Sequence, residues 1–223
     1  MINLDKIDKK EALRYLQCSN ISPDSSIMGL INECEKKLLK VIEPRYLYSA
    51  FDITHTENSV ILENCTLELT GNDIRKHLKD CKKAVLFCTT ISNGVDKLLR
   101  FAQISNMTEA LVLDSLASAA IEQVCDEVEK IIHSAYPNFY STWRFSPGYG
   151  DLPITLQAEF LNVLNSSKRI GLSATSSFML TPSKSVTAII GLSETPVAQK
   201  SRNCSECNLA KACVYRKNGG HCN

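Results

Sequence analysis

The sequence predicts an α+β fold, and three observations carry that prediction. Strand-like and helix-like segments follow one another without the regular alternation of a doubly wound parallel sheet. One helical pattern, over residues 108–135, is much longer than the others and has a broad apolar face through Leu111, Leu113, Leu116, Ala120, Val124, Val128, Ile131 and Ile132. The segments 45–54, 59–69 and 83–90 are rich in β-branched and aromatic residues or alternate with period two.

The elements follow in order. Residues 8–16 read as a short helix with Ala12, Leu13 and Leu16 on one face. Pro23-Asp24-Ser25 opens a longer helix, in which Ile27, Leu30, Ile31, Cys34, Leu38 and Val41 recur at helical spacing until Pro44 ends it. Two strands, 45–54 and 59–69, come next, and Gly71-Asn72 turns into a short helix to residue 79. The apolar run at 83–90 has the look of a buried strand. Asn93-Gly94 begins a helix to residue 104, and the long helix runs from there until Pro137-Asn138 stops it. Its small residues Ala117, Ser118, Ala119 and Ala120 suit either close helix packing or the approach of a ligand. A strand over 139–144 follows, then an amphipathic helix over 155–165, then strands at 176–181 and 185–192 joined around Pro182-Ser183-Lys184. Composition changes after Pro196, which divides the chain into a domain, 1–196, and a cysteine-rich tail, 197–223.

The charge balance is nearly even, 25 Lys+Arg against 24 Asp+Glu, so nothing points to nucleic acid or an anionic membrane as partner. No apolar run is long enough to span a bilayer, and the first residues lack the apolar core of a secretory signal, so a cytoplasmic location is expected. Ten cysteines do not change that expectation. Cys18, Cys34, Cys65, Cys81, Cys88 and Cys125 are scattered through helices and strands, and Cys88 lies in an apolar run where a thiol acts as a small hydrophobe. Cys204, Cys207, Cys213 and Cys222 cluster at the end, with His221 beside the last. Such a cluster suits zinc or an iron–sulfur cluster as well as it suits reduced free thiols.

Ordinary catalytic machinery is not visible. There is no Gly-rich phosphate loop and no strained elbow for a serine nucleophile. The four histidines lie far apart: His77 and His133 are expected on solvated helix faces, and His55 follows Asp52 near a strand end. The segment Arg144-Phe-Ser-Pro-Gly-Tyr149-Gly-Asp-Leu-Pro153 stands out instead. Pro147 biases Ser146 towards an extended conformation and Gly148 permits a turn, so the segment can hold an arginine fork and a tyrosine ring in a fixed relation. The pair suits a small molecule with a carboxylate at one end and an aromatic base at the other. Read alone, the same residues also make an ordinary turn with a surface arginine.

Arg144-x-Ser-Pro-Gly-Tyr149-Gly-x-x-Pro153 resembles the arginine–glycine–tyrosine segment of the activation domain of cobalamin-dependent methionine synthase. Arg169-Ile-Gly-Leu172 and Met179-Leu-Thr-Pro182-Ser-Lys-Ser185-Val186 resemble that family's second conserved stretch. The likeness extends over residues 25–195 and includes the long helix before the arginine.

The resemblance implies a curved antiparallel sheet flanked by helices and a site for S-adenosylmethionine. It implies a methyltransferase component of methionine biosynthesis that restores methylcobalamin after oxidation to cob(II)alamin. Arg144 would hold the methionyl carboxylate, Tyr149 would meet the adenosyl end, and backbone groups at Ser146 and Gly148 would bond the adenine. The family's helix carries a glutamate for the ligand's amino group. Here Ser118 stands at the aligned position, with Glu122 one turn later and Asp52 as a second candidate acid. No cobalamin-ligand motif is found, so cobalamin is expected on a partner, either the cobalamin-binding modules of methionine synthase or another corrinoid protein. An electron donor such as flavodoxin or ferredoxin is implied, or a cluster on the tail cysteines. A docking or chaperone module without S-adenosylmethionine binding is the alternative.

Overall fold

A computed structural model of the chain describes residues 2–16, 18 and 24–197. The first two helices, α1 (Lys9–Tyr15) and α2 (Ser25–Leu39), each begin at an aspartate whose carboxylate accepts from first-turn amides: Asp8 from Lys10 and Glu11, Asp24 from Ile27. Then come β1 (Arg45–His55), β2 (Ser59–Leu62), β3 (Glu68–Thr70), α3 (Asn72–His77) and β4 (Lys83–Thr90). α4 (Asn93–Ser105) and α5 (Met107–Ala135) meet at Asn106, whose side chain caps α5 through the Thr108 and Glu109 amides at 3.1 and 3.2 Å. The remaining elements are β5 (Tyr140–Ser141), α6 (Gln157–Val163), α7 (Ser166–Ile170), β6 (Ser173–Ala174), β7 (Leu180–Thr181) and β8 (Ser185–Ser193).

The main sheet has the strand order β3-β2-β1-β4-β8-β5, and every neighbouring pair is antiparallel. β4 lies inside it with seven of eight residues buried, which explains its unbroken apolar run: both faces are covered. Val85 and Phe87 point into the layer of α1, α2, α4 and α5, while Ala84, Leu86 and Cys88 point to the other side, where α3, α6 and α7 pack. α5 is the spine of the first layer and touches α1, α2 and α4. Its small residues Ala117, Ala119 and Ala120 are fully buried there, so that stripe is mostly helix packing.

Several sequence expectations are corrected by local chemistry. The strand expected over 59–69 is split into β2 and β3, because Asn64 takes a left-handed backbone (φ 57) that no strand accommodates. The strand expected over 139–144 is reduced to β5 and a single bridge, Phe145 to Ile189. Here the Thr142 hydroxyl accepts from the Gly191 amide at 2.8 Å and interrupts the regular ladder. Residues 176–179 form a hairpin turn, closed by the Met179 amide donating to Thr175 Oγ1, so β7 pairs with the unforeseen β6 and not with β8. The helix expected over 155–165 stops at Val163, and Asn165 (φ 53) redirects the chain into α7. His77 is not on a solvated face. Its Nε2 lies 2.8 Å from Thr142 Oγ1, and its ring meets Trp143 edge-on at 4.6 Å. His133 is exposed as expected and lies 2.8 Å from Ser141 Oγ.

Candidate functional site

The candidate site forms where the Arg144 segment leaves the sheet edge and faces α5. Phe145 bridges Ile189 on β8 and is buried with the α3–α6–α7 layer. By strand alternation its neighbour Arg144 faces the opposite way, towards α5. Glu122, Asp126 and Glu129 are spaced four and three residues apart, so they share one face of that helix. Arg144 Nη2 meets Glu122 at 3.1 Å and Asp126 at 3.0 Å, and Nε meets Glu129 at 2.9 Å. The arginine side chain is only 11% exposed. Burial works against its charge, but the neighbouring Cys125 and the carboxylates of Glu129, Glu122 and Asp126 more than offset it and raise its pKa. One group is left over: Nη1 is buried and has no hydrogen-bond partner among the described residues.

Arg144 lines a cleft of about 440 Å³. It is also lined by Glu122 and Asp126 on α5, by Ser146 and Val186, and by a wall of Asp8, Glu11, Arg14 and Tyr15 on or beside α1. α1 is stitched into place from two sides. The Asp8 amide donates to Gln123 Oε1 on α5 at 2.9 Å, and the Ile7 amide donates to Glu35 Oε1 on α2 at 2.9 Å. Glu35 is nearly buried; burial pushes its carboxyl up, and the Lys9 ammonium and Ile7 amide outweigh that and hold it below its ordinary value. Arg14 pairs with Glu11 and lies over the Tyr15 ring at 4.7 Å.

The rest of the Arg144 segment is committed elsewhere. Gly148 adopts φ 87, its amide donates to Leu152 O at 2.9 Å, and the Tyr149 amide donates to Ser146 O at 3.0 Å. A tight turn results, with two amides already used, so the Gly148 amide is not free for a ligand as the resemblance implied. The Tyr149 ring packs edge-on against Trp143 at 5.6 Å and Phe145 at 5.3 Å. It is half exposed but does not line the Arg144 cleft. Asp151 caps α3 across the fold, accepting from the Asn72 amide at 2.7 Å and the Asp73 amide at 3.0 Å. Gly71 and Gly150 admit this clasp, since a Cβ on either would run into an aspartate, Asp151 or Asp73.

Among the expected ligand contacts, the structure brings together Arg144, Glu122 and Ser146. Asp52 is not with them: its carboxylate pairs with Lys83 and is mostly exposed. Ser118 is also taken, its hydroxyl donating to Asp114 O and accepting from Lys184 Nζ, both at 2.9 Å. Lys184 in turn pairs with Asp114 at 2.8 Å. The α1 residues were missed in the sequence: Asp8, Glu11 and Tyr15 recur at helical spacing, but buried Ala12, four residues after Asp8 and three before Tyr15, borders the same face, so the sequence shows an apolar contact there and not a polar site. Cys204, Cys207, Cys213 and Cys222 lie outside the described residues. Among the described residues no group of His, Cys, Asp and Glu side chains has the arrangement of a metal site, and no helix is long and apolar enough to cross a membrane.

No protein-family model and no curated protein sequence matches the chain. A solved structure does: the crystal structure of the MetH reactivation domain bound to AdoHcy aligns with a TM-score of 0.65, covering 96% of this chain and 82% of that one at 13% identity. The chain has the fold of the MetH reactivation domain. This agrees with the expected α+β architecture, an antiparallel sheet flanked by helices. At that identity the likeness is one of backbone.

Proposed function

We propose that this chain binds S-adenosylmethionine and supports the reductive methylation of cob(II)alamin on a cobalamin-binding methionine synthase module or another corrinoid protein. The observation that carries the reading is the Nη1 of Arg144, without a partner among the described residues, in a side chain that shares a cleft with Glu122. An α-amino carboxylate matches that pair. The Arg144 guanidinium turns its buried Nη1 into the cleft to donate to the carboxylate, and Glu122, 37% exposed, accepts from the ammonium while Asp126 and Glu129 keep the charge anchored to α5. Glu122 thereby takes the part expected of an acid at Ser118. The fold shared with a domain crystallised with AdoHcy supports an adenosyl sulfur compound as the ligand.

The sulfonium of S-adenosylmethionine supplies an activated methyl group. The work of this chain is therefore to bind and orient the ligand and to limit water around it, and no general base is required. The reducing electron comes from a flavodoxin- or ferredoxin-type donor; Cys204, Cys207, Cys213 and Cys222 would hold zinc or an iron–sulfur cluster, and a cluster would supply one-electron chemistry there. Lack of both iron and zinc in anaerobically purified protein would sink the metal part of the reading alone.

The reactivation role is tested with the cobalamin-binding module of a methionine synthase in its cob(II)alamin state, radiolabelled S-adenosylmethionine and a low-potential reductant. Label should reach the corrinoid when the chain is present, and Arg144→Ala should prevent it. One observation favours a second reading, a docking module without S-adenosylmethionine binding: the aligned position Ser118 holds the cation Lys184. Association with the corrinoid module in the absence of any S-adenosylmethionine binding would support that reading and contradict the first.

A further inference from the structure

Among the described residues six charged side chains line the Arg144 cleft: the carboxylates of Asp8, Glu11, Glu122 and Asp126 against the guanidiniums of Arg14 and Arg144. The cleft is therefore built around a cation with a surplus of two negative charges. Half of these groups belong to α1 and its cap, so a wall that the resemblance did not include supplies much of the field.

We infer that the cleft selects its ligand by charge at sulfur, holding the cationic sulfonium more tightly than the neutral thioether that remains after methyl loss, with Asp8 and Glu11 as specificity-determining carboxylates. The inference rests on the reading of the cleft as an S-adenosylmethionine site. The two ligand forms share the amino acid end and the adenosine, and they differ by one methyl group and one positive charge. Contacts of Arg144 and Glu122 with the amino acid end are common to both and cannot tell them apart. The surplus carboxylates can. A sulfur near the middle of a cleft of 440 Å³ lies roughly a Debye length, about 8 Å at physiological salt, from the lining charges, so screening weakens the attraction without abolishing it.

The charges are held by the scaffold and do not depend on flexible surface chains alone. Asp8 is fixed by the Lys10 and Glu11 amides at 2.9 and 3.1 Å, and its own amide is tied to Gln123. Arg14 compensates Glu11, and Arg144 is shared by its acidic partners on α5. The nearby cation Lys9 is drawn away by Glu35 at 2.7 Å. A single positive charge against a surplus of two at these separations corresponds to about a five- to tenfold preference in affinity at low salt. The same preference favours release of the thioether once the methyl group has gone.

The test is calorimetric titration of the full chain with S-adenosylmethionine, S-adenosylhomocysteine and sinefungin, which carries an ammonium in place of the sulfonium. At low salt S-adenosylmethionine and sinefungin should bind about five- to tenfold more tightly than S-adenosylhomocysteine, and the ratio should approach one in molar salt. Glu11→Gln should narrow the low-salt ratio, with circular dichroism to show that α1 is intact. The salt series on the unaltered protein decides the matter even where that variant misfolds. Equal affinity of all three ligands, or a preference insensitive to salt, overturns the charge selection and leaves S-adenosylmethionine binding standing. Failure of all three to bind overturns both.

Discussion

Arg144→Ala removes the cation on which Glu122, Asp126 and Glu129 converge, and its cost can be worked from their exposure. Asp126 is 59% exposed, so its pair with Arg144 contributes little, on the order of 0–1 kcal/mol. Glu129 and Glu122 are 28% and 37% exposed, and each sits against a guanidinium that is only 11% exposed. Breaking a buried pair costs about 3–5 kcal/mol, and partial exposure of the acids reduces that to about 2–3 kcal/mol for the group. Mutual repulsion along the helix, about 0.2–0.5 kcal/mol per like-charged pair at this spacing, is included in that figure. For a domain of this size the loss lowers Tm by about 4–12 °C. Differential scanning calorimetry at low salt reads it, and added salt should return part of the loss by screening the stranded carboxylates. Arg144→Lys should fall between, since an ammonium keeps the charge but not the fork. A Tm within about 1 °C of the parent would refute the reasoning, because Arg144 could not then be locked onto α5.

Gly150→Ala places a Cβ against the Asp73 carboxylate at a backbone φ of 56, and should cost about 2 kcal/mol in urea titration. Asp151→Ala should cost about 1 kcal/mol at neutral pH through loss of the cap on α3. The Asp73 and Asn72 amides hold the Asp151 carboxyl below its ordinary value, so its contribution is present above the unfolded pKa and lost as pH falls through the folded one. The difference between parent and variant should therefore shrink below about pH 4 in pH-dependent melting. Burial pushes the thiols of Cys34 and Cys81 up to about 11 and Cys88 up to about 12, so alkylation at neutral pH, read by peptide mass spectrometry, should spare all three in the native state.

Long regular elements were legible in the sequence because one strong signal fixed each. The residues of β4 form an uninterrupted apolar run because both sheet faces are covered, and α5 repeats its apolar face over many turns. Elements whose form depends on a single tertiary bond were not legible. The shortness of β5 follows from the Thr142 hydroxyl taking the Gly191 amide, and the partial burial of His77 from a partner 65 residues away. The site divides in the same way. Arg144 and its motif were readable, but whether Tyr149 shares its cleft depends on strand alternation at the sheet edge, and it does not. Ser118 and Asp52 are engaged by Lys184 and Lys83, pairings formed only when distant segments meet. The α1 wall escaped notice because its polar residues look like any solvated helix face until Gln123 and Glu35 fasten it beside Arg144.

The central claim is that Arg144 and Glu122 together hold the amino acid end of S-adenosylmethionine. The measurement that tests it most directly is calorimetric titration of the parent chain, Arg144→Lys and Glu122→Gln with that ligand, with melting curves to show that each variant is folded. The account predicts saturable one-site binding to the parent, weakened about tenfold or more in each folded variant. Binding that neither substitution weakens would contradict it.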